Sequence, residues 1–282
     1  MAEPLQPLAY GPLIDAAARL VVRHRVTMIG LSTIPFLVFV PLLPLVLLSG
    51  GPNPPDPNLL EPWMPLIAVV GLVVLLVLGV AWPVTAAALH YAGAQARLGE
   101  APRAGEALRV GWRLLWPIGW VLTLITLFAL GIGLVCLLAT WLADEAGHLA
   151  AVLIGLAGCV ALAVVVLRLT LVLPVVVLEQ RRGVAALDRS AALMRGQVLR
   201  ALAIFLIINL CIAIVSGVLG AGLAPIPAVG GALSMLGQLF VQAVGTAVNA
   251  VATLFIYVDV RCRAEGLTAE QLAAQVLRAA AV

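Results

Sequence analysis

The 282-residue chain has no lysine, 10% charged residues, 5% aromatics, three histidines and four cysteines. A soluble domain has about a quarter of its residues charged. That shortage, with 63% hydrophobic residues, argues against a water-solvated globule and for lipid as the main solvent. All sixteen basic residues are arginines, nearly all in short segments beside apolar runs. No separate basic domain exists, which argues against a nucleic-acid partner. Cys136, Cys159 and Cys211 fall inside apolar runs, and Cys262 lies just beyond the last one. Without CxxC or Cys/His spacing, neither a disulfide framework nor a metal site is expected. His24, His90 and His148 sit near the ends of different runs. A zinc or triad site needs them converging with acids. There is no nucleophile–base pair, Walker-type loop or dinucleotide fingerprint, so no catalytic residue, cofactor or metal is assigned. No A-x-A cleavage site follows the first apolar run, and an uncleaved first span is expected.

What is present is apolar length. A membrane-spanning helix needs about 20 residues. Six runs qualify: Val26–Leu48, Trp63–His90, Leu114–Leu142, Leu149–Leu178, Ala201–Leu223 and Val229–Val258. In lipid every backbone polar group must be bonded internally, and runs this long suit helices rather than barrel strands. The expected fold is an all-α integral membrane bundle of six spans over residues 1–266, with a further helix over 267–282. Fifteen of the sixteen arginines lie before span one, between spans two and three, between four and five, or after span six. The other connections carry Asp56, Glu61, Asp144 and Glu145 instead. The positive-inside rule then puts both termini in the cytoplasm of a cell whose inner membrane holds the chain. The Pro- and Asn-rich segment Gly50–Pro62 should be extended. The short turn Ala224–Pro227 makes spans five and six antiparallel neighbours.

Three segments at 12–25, 102–113 and 184–197 carry charge on one helical stripe: Asp15 with Arg19 and Arg23, Glu106 with Arg109 and Arg113, and Asp188 with Arg195. Such stripes suit amphipathic helices on the membrane surface. The chain then reads as three repeats of a cytoplasmic amphipathic helix followed by a helical hairpin. Pro83 and Pro174 occupy comparable places in the second and fourth spans, each a kink that frees a carbonyl four residues earlier, at Gly79 and Thr170. Beyond span six, Thr268 and Gln271 have the spacing of a reciprocal helix cap, with Leu272, Val276 and Leu277 on one apolar side.

Arg168 is the charge inside an apolar run. A charge at bilayer depth costs at least a few kcal/mol and marks a structural or functional centre. Span six carries Gln238, Gln242, Thr246, Asn249 and Thr253 on one face, and span five carries Asn209 and Ser216. Arg168 is eleven residues before Glu179, Asn249 ten before Asp259, and Asn209 nine after Arg200. At 1.5 Å per residue all three lie about 14–17 Å from their helix ends and can meet near the midplane. The candidate polar centre is therefore Arg168, Thr170, Asn209, Gln242, Thr246 and Asn249, with no acid among them. Arg168 is read in three ways: as a clamp held by amides and carbonyls, as a site for an anionic group, or as a side chain snorkelling to the interface.

The stretch Pro174-x4-Glu179, Gly183-Val-Ala-Ala-Leu-Asp-Arg-Ser190 and Leu193-Met-Arg195-Gly196, with the ending Tyr257-x-Asp259-x-Arg261-x-Arg263-x-Glu265-Gly266, resembles the membrane domain of bacterial glycerophosphodiester phosphodiesterases. That resemblance implies a six-helix membrane domain with cytoplasmic termini. It does not imply phosphodiesterase activity, because the soluble metal-binding barrel of those enzymes has no counterpart in these residues. The expected role is a non-enzymatic membrane protein that organises lipids, anionic ones included, or protein partners reached through the surface helices or the C-terminal helix. The alternative is a small transporter or channel for an anionic or amphipathic solute. A lipid-modifying enzyme ranks third.

Overall fold

The computed structural model describes residues 9–42, 64–144, 148–223, 226 and 230–281. Most of the expected Gly50–Pro62 loop and the Ala224–Pro227 turn lie outside the described residues. The described chain is helical throughout: α1 (Tyr10–Arg23), α2 (Arg25–Thr33), a 3-10 segment (Ile34–Leu42), α3 (Met64–Arg97), α4 (Ala104–Arg113), α5 (Leu115–Asp144), α6 (His148–Leu169), α7 (Val184–Leu193), α8 (Val198–Leu223), α9 (Gly230–Glu265) and α10 (Ala269–Ala281). Between α6 and α7 lie a short helix, Val172–Pro174, and a π-helical turn, Val175–Glu179.

Five segments are long and apolar enough to cross a membrane: Ala68–Arg97, Leu115–Trp141, Val152–Glu179, Val198–Leu223 and Gly230–Glu265. The bent pair Tyr10–Arg23 and Arg25–Val40 makes a sixth if counted as one span. Their outer faces carry exposed Leu72, Leu75, Leu134, Leu138, Leu210 and Val218. An apolar surface of that extent belongs in lipid. In α5, exposed Trp116 and Trp141 stand 25 residues apart, about 37 Å along a helix, the spacing of two interfacial aromatic belts around a bilayer. The protein is a multi-pass membrane protein.

Polarity decides which helix is central. α9 is mostly buried, and every side chain from Ala250 to Arg261 is shielded. Its 36 residues run for about 54 Å, longer than the hydrocarbon layer, so its last turns project beyond it. α8 packs along it as an antiparallel hairpin, and α5 pairs with α6 in the same way.

The short helices pack at the Arg-rich end of the bundle. In α1, Leu13, Ala17 and Val21 are buried at steps of four, while Asp15 and Arg19 pair on the outer face at 2.8 Å. The axis then turns through 91° into α2. α7 buries Ala186, Ser190 and Leu193. α4 differs from its expected character in one respect. Glu106 does not share a solvated stripe with Arg109 and Arg113, because it turns inward to accept a bond from the Tyr91 hydroxyl of α3.

α4 approaches α3 closely through Gly111, where a Cβ would collide with the Val84 carbonyl. Gly105, on the same helix, has nothing within 4 Å of an added Cβ. Gly111→Ala is therefore expected to destabilise the fold by about 1–3 kcal/mol through overpacking. Gly105→Ala should leave the melting temperature unchanged or raise it. Thermal unfolding of the two variants in detergent checks the contrast.

Candidate functional site

Three polar regions lie along the bundle. The most closed is an ionic network at the Arg-rich end, centred on Glu179, whose side chain is 9% exposed. The helix that carries it breaks after Leu169, and the π-helical turn swings the carboxylate under α9. Gln180 then adopts a left-handed backbone (φ 57°), and Gly183, at φ 57° and ψ −137°, takes a conformation that suits glycine. This reversal brings α7 back beneath the turn. Arg189 donates its Nε proton to Glu179 at 3.0 Å and reaches Glu265 with its other arm. Tyr257 donates to Glu179 at 3.1 Å and accepts from Arg261 at 2.8 Å. Arg261 also reaches Glu265 at 2.9 Å and Gln275 of α10 at 3.1 Å. Burial alone would lower the Arg189 pKa, but its bonds to Glu179 and Glu265 outweigh that and raise it above the ordinary arginine value. Beside this network, Asp259 (3% exposed) is held by Arg200 of α8 and by Arg263 at 3.0 Å.

α10 closes the network from outside. Thr268 and Gln271 form the expected reciprocal cap, with side chain to main chain bonds of 3.3 and 3.2 Å. Leu272, Gln275, Val276 and Ala279 face the bundle. Leu277, expected on that side, is 70% exposed instead, because the docked face follows the i, i+3, i+4, i+7 stripe from Leu272 and Leu277 falls off it.

The second region is a cleft of about 330 Å³ between α3, α8 and α9, lined among others by Thr85, His90, Asn209, Gln242, Thr246 and Asn249. Asn209 donates to the Phe205 carbonyl at 2.8 Å and reaches Asn249 Oδ1 at 3.5 Å. Four residues of the expected polar centre therefore line one cavity. They do not turn wholly inward, since Asn209 and Gln242 are exposed on the bundle's flank.

Arg168 does not join them. It is exposed and lines a separate, otherwise apolar cleft with Phe128, Leu169, Val184 and Leu187. No side chain among the described residues bonds its guanidinium. Its main-chain carbonyl accepts the Ser190 hydroxyl of the surface helix α7 at 2.8 Å. Thr170 turns its hydroxyl back to the Val166 carbonyl at 3.1 Å, away from any clamp. The depth expected for Arg168 assumed a straight helix to Glu179 ending at water. The chain instead breaks at Thr170–Leu171 and Glu179 is buried, so Arg168 sits at the level of α7 and its long stem suits snorkelling. Of the two prolines, Pro83 lies inside a continuous α3, while Pro174 lies between the break and the π-helical turn.

The third region is a groove of about 900 Å³ at the α1–α2 elbow, lined by Arg19, Arg23, His24, Arg97 and Phe255 among others. His24 and His90 thus open onto different cavities. Burial, then the Arg23 charge, lowers the His24 pKa, so the ring is neutral at neutral pH. The Glu179 network was missed as a site because its members lie far apart in the chain. Only the motif residues in which the resemblance was read pointed to them.

Glu179→Gln removes the charge that several partners share and leaves buried cations short of an acid. It is expected to cost about 3–5 kcal/mol. Tyr257→Phe loses one hydroxyl with two partners, at about 1–3 kcal/mol. Arg19→Gln, at an exposed pair, should leave the melting temperature unchanged. Thermal unfolding and size-exclusion profiles of purified variants measure this order.

Residues 147–258 match the family model of the membrane domain of glycerophosphoryl diester phosphodiesterase. No curated protein and no solved structure matches the chain. The matched segment runs from α6 through the Pro174 turn, Glu179, Arg189 and Arg200 to the buried stretch of α9 that carries Tyr257. Over those residues, this multi-pass membrane protein is similar to the membrane domain of glycerophosphoryl diester phosphodiesterase.

Proposed function

We propose that the protein is a non-enzymatic organiser of lipids and partner proteins at the cytoplasmic face of the inner membrane, with both termini on that side. The observation that carries this reading is the basic groove at the α1–α2 elbow, where Arg19, Arg23, His24 and Arg97 converge beside Phe255. An interfacial pocket of that charge suits an anionic lipid headgroup, with each arginine near the surface contributing about 1 kcal/mol. The near-perpendicular turn between α1 and α2 favours α1 lying in the plane of the headgroups. Orientation follows from arginine placement.

The finer plan of three repeats is supported by element order. Each short helix, α1, α4 and α7, precedes a pair of apolar segments: the first span with α3, α5 with α6, and α8 with α9. Exposed faces of the short helices and of α10 are the surfaces offered to protein partners. Transport of an anionic solute through a midplane arginine has less support, because Arg168 lies apart from the polar cleft.

In phosphatidylcholine nanodiscs doped with phosphatidylglycerol, the protein should enrich the anionic lipid around itself. Arg19→Gln with Arg23→Gln should reduce that enrichment about thirtyfold, by the 1 kcal/mol per arginine above. Mass spectrometry of co-purified lipid reads the ratio. Enrichment unchanged in the double variant overturns the reading. Lowering the pH below the ordinary histidine range protonates His24, adds a charge to the groove and should raise the enrichment.

A further inference from the structure

We propose that the cleft between α3, α8 and α9 binds the uncharged, hydroxyl-bearing headgroup of a membrane amphiphile that enters sideways from the lipid. The site is separate from the basic groove and does not depend on the role assigned to it.

The first reason is unmet hydrogen bonding. Gln242 and Thr246 line the cleft in the apolar part of α9. Neither side chain bonds to any described residue, although an unsatisfied polar group in hydrocarbon costs several kcal/mol. A ligand that supplies donors and acceptors removes that cost. Asn209 is only partly engaged, since its amide nitrogen is used and its bond to Asn249 is long at 3.5 Å.

The second reason is His90, which forms part of the cleft wall and is 3% exposed. Its Nδ1 lies 2.7 Å from the Ala86 carbonyl. A carbonyl only accepts, so Nδ1 carries the proton, and in the neutral ring Nε2 is left as an acceptor. Nε2 is buried without a partner among the described residues. It needs a donor, and a hydroxyl is the simplest one compatible with its surroundings.

The third reason is charge. The polar side chains of the cleft are amides, hydroxyls and one imidazole, with no arginine or acid among its lining residues. Such a set favours a neutral, hydroxylated group over a phosphate or an ammonium ion, whose desolvation would go uncompensated. Access runs through lipid, because Asn209 is flanked on α8 by exposed Leu206, Ile207 and Leu210 and Trp82 at the rim is 45% exposed. A second copy of the chain fits this face less well. Two glycines of α9 that would permit close helix packing, Gly237 and Gly245, are already filled by Leu219 and Ile212 of α8.

The test uses the full chain in phosphatidylcholine nanodiscs with a photoactivatable diacylglycerol, which has one free hydroxyl, and the same probe with that hydroxyl methylated. The free-hydroxyl probe is expected to label α9 near 242–249 about tenfold more strongly, the ratio set by one hydrogen bond of about 1.4 kcal/mol. Gln242→Leu and Asn249→Leu should reduce labelling to the level of the methylated probe. Arg168→Gln, outside the cleft, should leave it unchanged. Because the probe comparison is made on the unaltered protein, misfolding of a variant does not decide the result. Equal labelling by the two probes overturns the proposal. Displacement of the label by free glycerol assigns the cleft to a soluble polyol and also overturns it, as does a dimer cross-linked through α9 with no lipid label.

Discussion

A carboxylate at a membrane boundary can be kept out of water only if cations and donors replace the water around it. Glu179 meets that condition through Arg189 of α7, Tyr257 of α9 and Arg181 of its own loop, with Arg261 at 3.7 Å. Most of the Arg-rich end follows from this requirement. The π-helical turn delivers the carboxylate, and the Gly183 reversal brings α7 under it. The long projecting end of α9 supplies the tyrosine and the arginine. α10 docks where Gln275 takes up a remaining donor of Arg261. Charges that lie on separate helices thereby fix the helices to one another at the end where lipid no longer constrains them.

This arrangement divides the arginines into two kinds. Arg189, Arg200 and Arg261 face acids and hold the fold, with side chains 19, 13 and 11% exposed. Arg19, Arg109, Arg113 and Arg195 lie on exposed faces of the surface segments. The same residue type that signals orientation therefore also builds the interior, and its role depends on whether an acid from another element reaches it. Higher in the bundle, the cleft between α3, α8 and α9 has no charged residue in its lining. There α9 presents amides and hydroxyls to a cleft whose bonding is incomplete, which is a different problem in a medium without water.

Much of this was legible in the sequence. Apolar length predicts the spans, and the charge stripes predict short helices at three places close to where α1, α4 and α7 run. The Thr268–Gln271 spacing predicts the α10 cap, because each of these signals is local and depends on helix geometry alone. The meeting of Asn209 and Asn249 at matching depth follows from counting residues along straight helices. The same count fails for Arg168, because the break at Thr170–Leu171 and the buried position of Glu179 remove the straight helix and the aqueous end point that it assumed. Glu106 misleads for a related reason. Its spacing with Arg109 suits a solvated stripe, but a tyrosine from α3 claims it.

By itself, then, the sequence determined the solvent of this protein, the places of five of its apolar segments and the character of its surface helices, since each depends on composition and on periodicity within one segment. The tertiary structure alone decided which charges became interior and which stayed outside. It separated Arg168 from the polar cleft and joined Glu179, Arg189, Tyr257 and Arg261 into one network. Those outcomes depend on where a helix breaks and on which distant element supplies the partner, and a charge has no fixed role until its partner is in place.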